Sequence, residues 1–182
     1  RGDDLDAGAR LVATALREVL DRTGSPLVVS PHPHDGHHAH EAVGRAVRDA
    51  LTGRPGVTWW MWGLWADLPH PTLMTPFDGA VLASTRHVLL AYVGENARND
   101  YLDLIESRAR VSMILGSERV FGYGSSVAAP VPFAELFTET RWVEGDWVLG
   151  PARLLDAGDP LPGVGHRAAG GSAGGVAGGA PL

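Results

Sequence analysis

Leu27-Val28-Val29-Ser30-Pro31-His32-Pro33-His34-Asp35-Gly36-His37-His38-Ala39-His40-Glu41 is the stretch on which the reading of this chain turns. A short apolar run opens it, five of the chain's eight histidines fill it, and a helical pattern follows. The apolar run Leu27 to Ser30 reads as a buried parallel strand. The helix after it is expected from Ala39 to Leu51, with Ala42, Val43, Ala46, Val47 and Ala50 on its buried face. Loops between a strand and the next helix are where α/β proteins place binding and catalytic groups.

Upstream, residues 4–22 form an amphipathic pattern, with Leu11, Val12, Ala15, Leu16, Val19 and Leu20 recurring at helical spacing. Gly24 and Pro26 end it. Helix, strand, loop, helix is the grammar of an α/β layer fold. Downstream, Val57 to Trp65 is strand-like and holds Trp59, Trp60, Trp62 and Trp65. Pro69, Pro71 and Pro76 predict an irregular connection. Asp78 is expected to cap a helix from Gly79 to Ala97, and Asn99 another from Asp100 to Leu115. Residues 116–132 read as glycine-rich loop, and Phe133 to Phe137 as a short apolar segment interrupted by Glu135. Thr140 to Leu149 reads as a hairpin turning at Glu144-Gly145-Asp146. The domain is expected over residues 1–155. Residues 156–182, mostly Gly, Ala and Pro after Asp156, are expected to be a disordered tail.

Composition narrows the function classes. The chain has 182 residues, 45% of them hydrophobic and 20% charged, which suits one globular domain with a core. Net charge is -6, and the fifteen positive charges are all arginine, with no basic patch interleaved with aromatics. Nucleic acid is therefore not an expected partner. With no cysteine, disulfides and thiolate metal sites are excluded, and any zinc must be held by His, Asp or Glu. No apolar run approaches the roughly 18 residues of a membrane span. The expected setting is cytoplasmic, without membrane attachment, and self-association into a homo-oligomer is left open. The chain opens at Arg1, without Met, in a polar stretch that runs straight into a helix; it reads like a piece of something longer.

In the histidine stretch, His37 and His40 are three apart at a loop-to-helix entry, which turns both side chains to one side. Asp35 is placed to orient one of them. Converging imidazoles and carboxylates hold a zinc ion whose bound water ionises near neutral pH, and a neighbouring histidine can stabilise the oxyanion or donate a proton. The competing reading is a solvated polar loop. Other metal grammars fit worse. His32-Pro33-His34 opens as amidohydrolase barrels do, but a barrel needs about 250 residues. The HExxH pattern of zincins is absent, and His37-x-x-His40-Glu41 has its Glu on the wrong side for the inverted form.

The run Asp35-Gly36-His37-His38-Ala39-His40-Glu41-Ala42-Val43-Gly44-Arg45-Ala46-Val47 resembles the second signature of the LmbE/PIG-L family of zinc-dependent N-acetyl-sugar deacetylases, D-x-H-P-D-H-x-A-V-G-x-A. Trp62-Gly63 with its proline-rich sequel, Asn99-Asp100-Tyr101, and Phe133-Ala134-Glu135-Leu136-Phe137 resemble later family elements in the same order. The resemblance covers about residues 5–150. It implies a three-layer, Rossmann-like α/β fold and hydrolysis of the acetamide of a GlcNAc-type small molecule or glycoconjugate. It also implies Zn2+ or another divalent metal, with His40 as ligand and His37 as the group that stabilises the tetrahedral intermediate. Asp35 or Glu41 would replace the carboxylate lost where His38-Ala39 stands for Pro-Asp. Substrate contacts are expected from Glu135, His70 and Trp62. The family's A-H-P-D-D-E motif, which supplies two further ligands and the general base, has no counterpart before residue 27. Aligning it with His32 to Asp35 fails because the glycine-rich sequel and the T-x-G-E strand end are missing. The chain thus corresponds to the C-terminal part of such an enzyme, with one metal ligand of three, and is expected to be inactive alone. A non-catalytic sugar-binding relative and a histidine-rich metal-binding structural domain are the alternatives.

Several other features have plainer readings. The tryptophan cluster is either a sugar-stacking platform or core packing, and packing is expected. His87 is expected to be packed within its helix. Arg108 and Arg110 are expected on a solvated or salt-bridged face.

Overall fold

The computed structural model describes residues 2–127 and 129–162. The larger part of the expected tail, 163–182, lies outside the described residues. The fold is α/β, built on a mixed sheet.

Helix α1 (Gly2–Thr23) leads into strand β1 (Leu27–Pro31), and the histidine loop leads into helix α2 (His38–Leu51). Strand β2 (Thr58–Trp62) pairs parallel to β1, Leu27 opposite Thr58 and Pro31 opposite Trp62. This is the expected β-loop-α-β unit. Its first strand is an edge strand, however: Val29 is 50% exposed, against the expectation of a buried strand.

Strand β3 (Leu73–Phe77) occupies the segment expected to be irregular. Its Pro76 lies beyond Leu73 and Met74, the two residues paired to the short strand β6 (Arg153–Leu154). One flank of β3 has no strand neighbour at Pro76, and a residue without an N–H is tolerated there. Helix α3 (Gly79–Leu89) starts as expected, with the Asp78 carboxylate accepting from the Ala80 and Val81 amides. It stops eight residues early. Asn96 of the one-turn helix α4 (Val93–Asn96) donates its side-chain N–H to the Leu89 carbonyl, satisfying an acceptor freed by the break. His87, expected to be packed, is exposed in the last turn of α3.

Helix α5 (Tyr101–Phe121) is capped by Asp100, not Asn99. It runs through Gly116, which had read as a loop residue. A Cβ there would come within 3.0 Å of Met74 Sδ and 3.1 Å of Leu136 Cδ2, so this glycine permits close helix–sheet contact. Strand β4 (Phe133–Val143) is central. It runs antiparallel to β3 over Phe133–Phe137, to β2 over Thr138–Arg141, and to β5 (Asp146–Leu149) over Thr140–Val143. The β4–β5 turn has φ of 50° at Glu144 and 96° at Gly145, the left-handed pair that matches the twist of a hairpin.

The core lies where helices meet these strands. Leu20, Val47 and Leu51 pack on Trp59 and Met61, while Val120 and partly buried Met113 pack on Met74, Ala134 and Leu136. Among the described residues no helix is long and apolar enough to cross a membrane.

Candidate functional site

The site forms where the loop after β1 meets the start of α2 and the residues that follow β2. Parallel pairing of β1 with β2 brings the two strand ends together, and the His32 amide donates to the Trp62 carbonyl at 2.7 Å. Gly36, at φ 79°, turns the chain, and His37 is the N-cap of α2 without a side-chain capping bond. Gly44 brings α2 close. Its Cβ position would lie 2.8 Å from both the Pro31 carbonyl oxygen and the Pro33 nitrogen, so the helix rests directly on the loop backbone.

Asp35 is the buried centre, only 1% exposed. Its Oδ1 accepts from the Leu64 amide at 2.5 Å and the Trp65 amide at 3.1 Å. Its Oδ2 accepts from His40 Nδ1 at 2.6 Å. One carboxylate thus ties the loop after β2 to the first turn of α2. With its proton on Nδ1, His40 carries its lone pair on Nε2, where it is free to ligate or to accept a hydrogen bond. Of the two carboxylates Asp35 and Glu41, it is Asp35 that bonds His40. Glu41 instead accepts from the Gly36 amide and lies 3.8 Å from Arg45.

His37 lies beside this pair, its ring 4.8 Å from that of His40. It stacks against His38 on one contact and Trp65 on another. Its Nδ1 is buried and has no partner among the described residues. Trp62 meets His40 edge-on at 5.2 Å. The tryptophan cluster therefore divides. Trp59 and Trp60 are core residues, donating to Ser30 Oγ and to Glu139, whereas Trp62 and Trp65 border the histidines.

Of the remaining histidines only His38 touches this group, through its stack on His37. His32 is buried and its Nδ1 accepts from the His34 amide. Burial, aided by the charges of His34 and His70 and opposed by Asp35, holds its imidazole below the usual range. His34 and His38 are exposed, as is His70, whose backbone is left-handed at φ 46°. Among the described residues no group of three or more His, Cys, Asp or Glu side chains converges as a metal-ligand set. His40, held by Asp35, suits the role of one ligand, but the residues described do not by themselves make a metal site.

Trp62 also borders a cleft of about 610 Å³ between α3, α5 and the start of β4. Glu135 lines it. Water reaches its side chain, but the surrounding walls displace solvent and push its carboxyl above the usual carboxylate range. Glu135 shares this cleft with Trp62, and neither His40 nor His70 is among its lining residues.

A functional group that the sequence did not reveal is Glu139. It is fully buried in β4 and accepts from Trp60 Nε1 at 2.7 Å, Arg153 at 2.8 Å and Arg141 at 3.3 Å. Its only sequence signal is a glutamate between Thr138 and Thr140 in a strand-forming stretch. Comparison of the chain with protein-family models, with curated proteins and with solved structures finds no match.

Proposed function

We propose that this chain carries the histidine–aspartate half of a metal-dependent amide hydrolase site, one that removes the N-acetyl group from a GlcNAc-type small molecule or glycoconjugate. The observation that carries this reading is the buried Asp35 bonded to His40 Nδ1, with His37 alongside, at the end of a parallel strand. The signature resemblance in the same residues supports the LmbE/PIG-L assignment and, with it, a three-layer Rossmann-like scaffold.

In this reading Asp35 fixes the ring and tautomer of His40. His37 sits where an imidazole can donate to the oxygen or nitrogen of a tetrahedral intermediate. Water adds to the acetamide carbonyl, the C–N bond breaks, the amine takes a proton, and acetate leaves. Trp62 offers an aromatic edge beside the reacting groups, with Glu135 and His70 as outer substrate contacts. A catalytic zinc needs about three protein ligands. The described residues supply His40 alone, so no step is assigned to the metal.

The test is zinc content and release of free amine from an N-acetylglucosaminide, measured on the full-length protein. His40→Ala is expected to abolish both, and His37→Ala to lower turnover while zinc is retained. Deacetylation by both variants at the unaltered rate overturns the proposal. The second reading is a non-catalytic relative that binds an amino sugar, for which His40 and Asp35 would be retained without a converging set of three ligands among the described residues. In that case the full-length protein binds the sugar and releases no amine.

A further inference from the structure

The deacetylase reading uses Trp62 and Glu135 of the cleft between α3 and α5, but it leaves the apolar helix walls and Arg108 without a role. Two antiparallel helices form its long walls, Leu82 meeting Ala109 and Arg86 reaching Leu102 and Glu106. Its lining is mostly apolar, with Leu64, Leu68, Val81 and Ile105 among the contributors. A volume near 610 Å³ lies within the roughly 300–1,000 Å³ range of small-molecule sites.

The charged groups around it differ in one respect. Arg119 is engaged, donating to the Leu68 carbonyl at 2.7 Å and lying 3.9 Å from Asp67. Arg86 and Arg110 are paired with Glu106, and Arg110 also lies over the Phe133 ring. Arg108 lines the cleft half-buried, and its guanidinium has no hydrogen-bond or ion-pair partner among the described residues. Glu135 faces the same cleft without reaching Arg108. A partly desolvated, unpaired guanidinium beside apolar walls is a ready partner for a carboxylate, which it grips through two parallel N–H groups.

We propose that this cleft binds an amphipathic monocarboxylate, its apolar chain between α3 and α5 and its carboxylate on Arg108. A single negative charge is favoured over a doubly charged phosphate because Arg108 is the one unengaged cation lining the cleft among the described residues, and the Glu135 carboxylate lines the same cleft. This proposal does not depend on the deacetylase reading, since binding requires neither metal nor turnover.

The experiment is titration of the protein with octanoate and, separately, with 1-octanol, followed by calorimetry, with the total tryptophan fluorescence, to which Trp62 at the cleft wall contributes, as a second readout. One octanoate per chain is expected. Arg108→Gln is expected to weaken octanoate by about tenfold or more while leaving octanol unchanged. Thr85→Trp, at an exposed position on the cleft wall, is expected to block both ligands, and circular dichroism of each variant verifies the fold. The proposal is overturned if octanoate does not bind at millimolar concentration. It is equally overturned if folded Arg108→Gln binds octanoate as tightly as the unaltered protein, or if folded Thr85→Trp does.

Discussion

Asp35 and His40, five positions apart in sequence, are joined by a 2.6 Å hydrogen bond from the imidazole Nδ1 to a carboxylate that solvent barely reaches. The other oxygen of the same carboxylate holds the Leu64 and Trp65 amides. Asp35 therefore does two separable things: it anchors a loop and it sets a tautomer.

Two substitutions separate them. Asp35→Ala leaves the Leu64 and Trp65 donors without their acceptor, at about 1–3 kcal/mol for each that water does not reach. A loss of about 2 kcal/mol or more is expected in urea denaturation. Asp35→Asn can keep its carbonyl oxygen toward the amides, but its NH2 then faces His40 and cannot accept from Nδ1–H. The expected result is a smaller loss of stability, with the His40 proton moved to Nε2. Nitrogen-15 NMR of the imidazole reads that tautomer directly. An unchanged tautomer contradicts the role given to Asp35.

Gly44→Ala tests how tightly α2 is seated. The added Cβ meets main-chain atoms of Pro31 and Pro33 at 2.8–2.9 Å, and main chain cannot rotate away as a side chain does. Overpacking of this kind costs about 1–3 kcal/mol. The expected readouts are a lower urea midpoint and a shifted His40 ring resonance, since the helix that carries His40 must move off the loop.

Glu139→Ala is expected to be clearly destabilising, by about 1–3 kcal/mol, because a buried donor loses its acceptor while the two arginines can turn to water. It strands the buried Trp60 indole N–H and leaves Arg153 and Arg141 without their shared carboxylate. Glu139→Gln keeps an acceptor for Trp60 and should fall between the two. Equilibrium urea unfolding of the three proteins gives the order.

His32 gives stability a pH dependence with a definite sign. Burial holds its folded-state imidazole below the ordinary 6.5, so the unfolded chain binds the proton more readily. Stability is then full above the unfolded value and declines as pH falls through the window toward the folded value. His32→Asn, whose amide oxygen can still accept from the His34 N–H, should flatten that decline. Urea midpoints measured between about pH 7.5 and pH 5.5 provide the comparison; an equally steep decline in the variant would count against His32 as its source.

How much was legible beforehand follows the range of the interactions. The β1-loop-α2 unit, the Asp78 cap and the Glu144-Gly145 hairpin were readable because periodicity, capping and turn geometry are decided within a few residues. The segment 116–121 was misread as loop because glycine is a local signal for turns, whereas Gly116 serves a distant contact with Met74 and Leu136. Strand β3 was hidden by Pro76, whose tolerance depends on which neighbours flank it.

The sequence by itself determined that histidines and an aspartate crowd a strand-to-helix junction, and that this junction belongs to an α/β chain. Only the tertiary structure decided that Asp35, not Glu41, holds His40, and that Trp62 and Trp65 leave the core to border the histidines. It also decided that Glu139 is buried beside two arginines while Arg108 has no hydrogen-bond or ion-pair partner among the described residues. The physical reason is the same throughout. Local patterns fix the direction and spacing of side chains along one element, but a hydrogen bond, a desolvated charge or a shared cleft exists only once elements distant in sequence have been packed together.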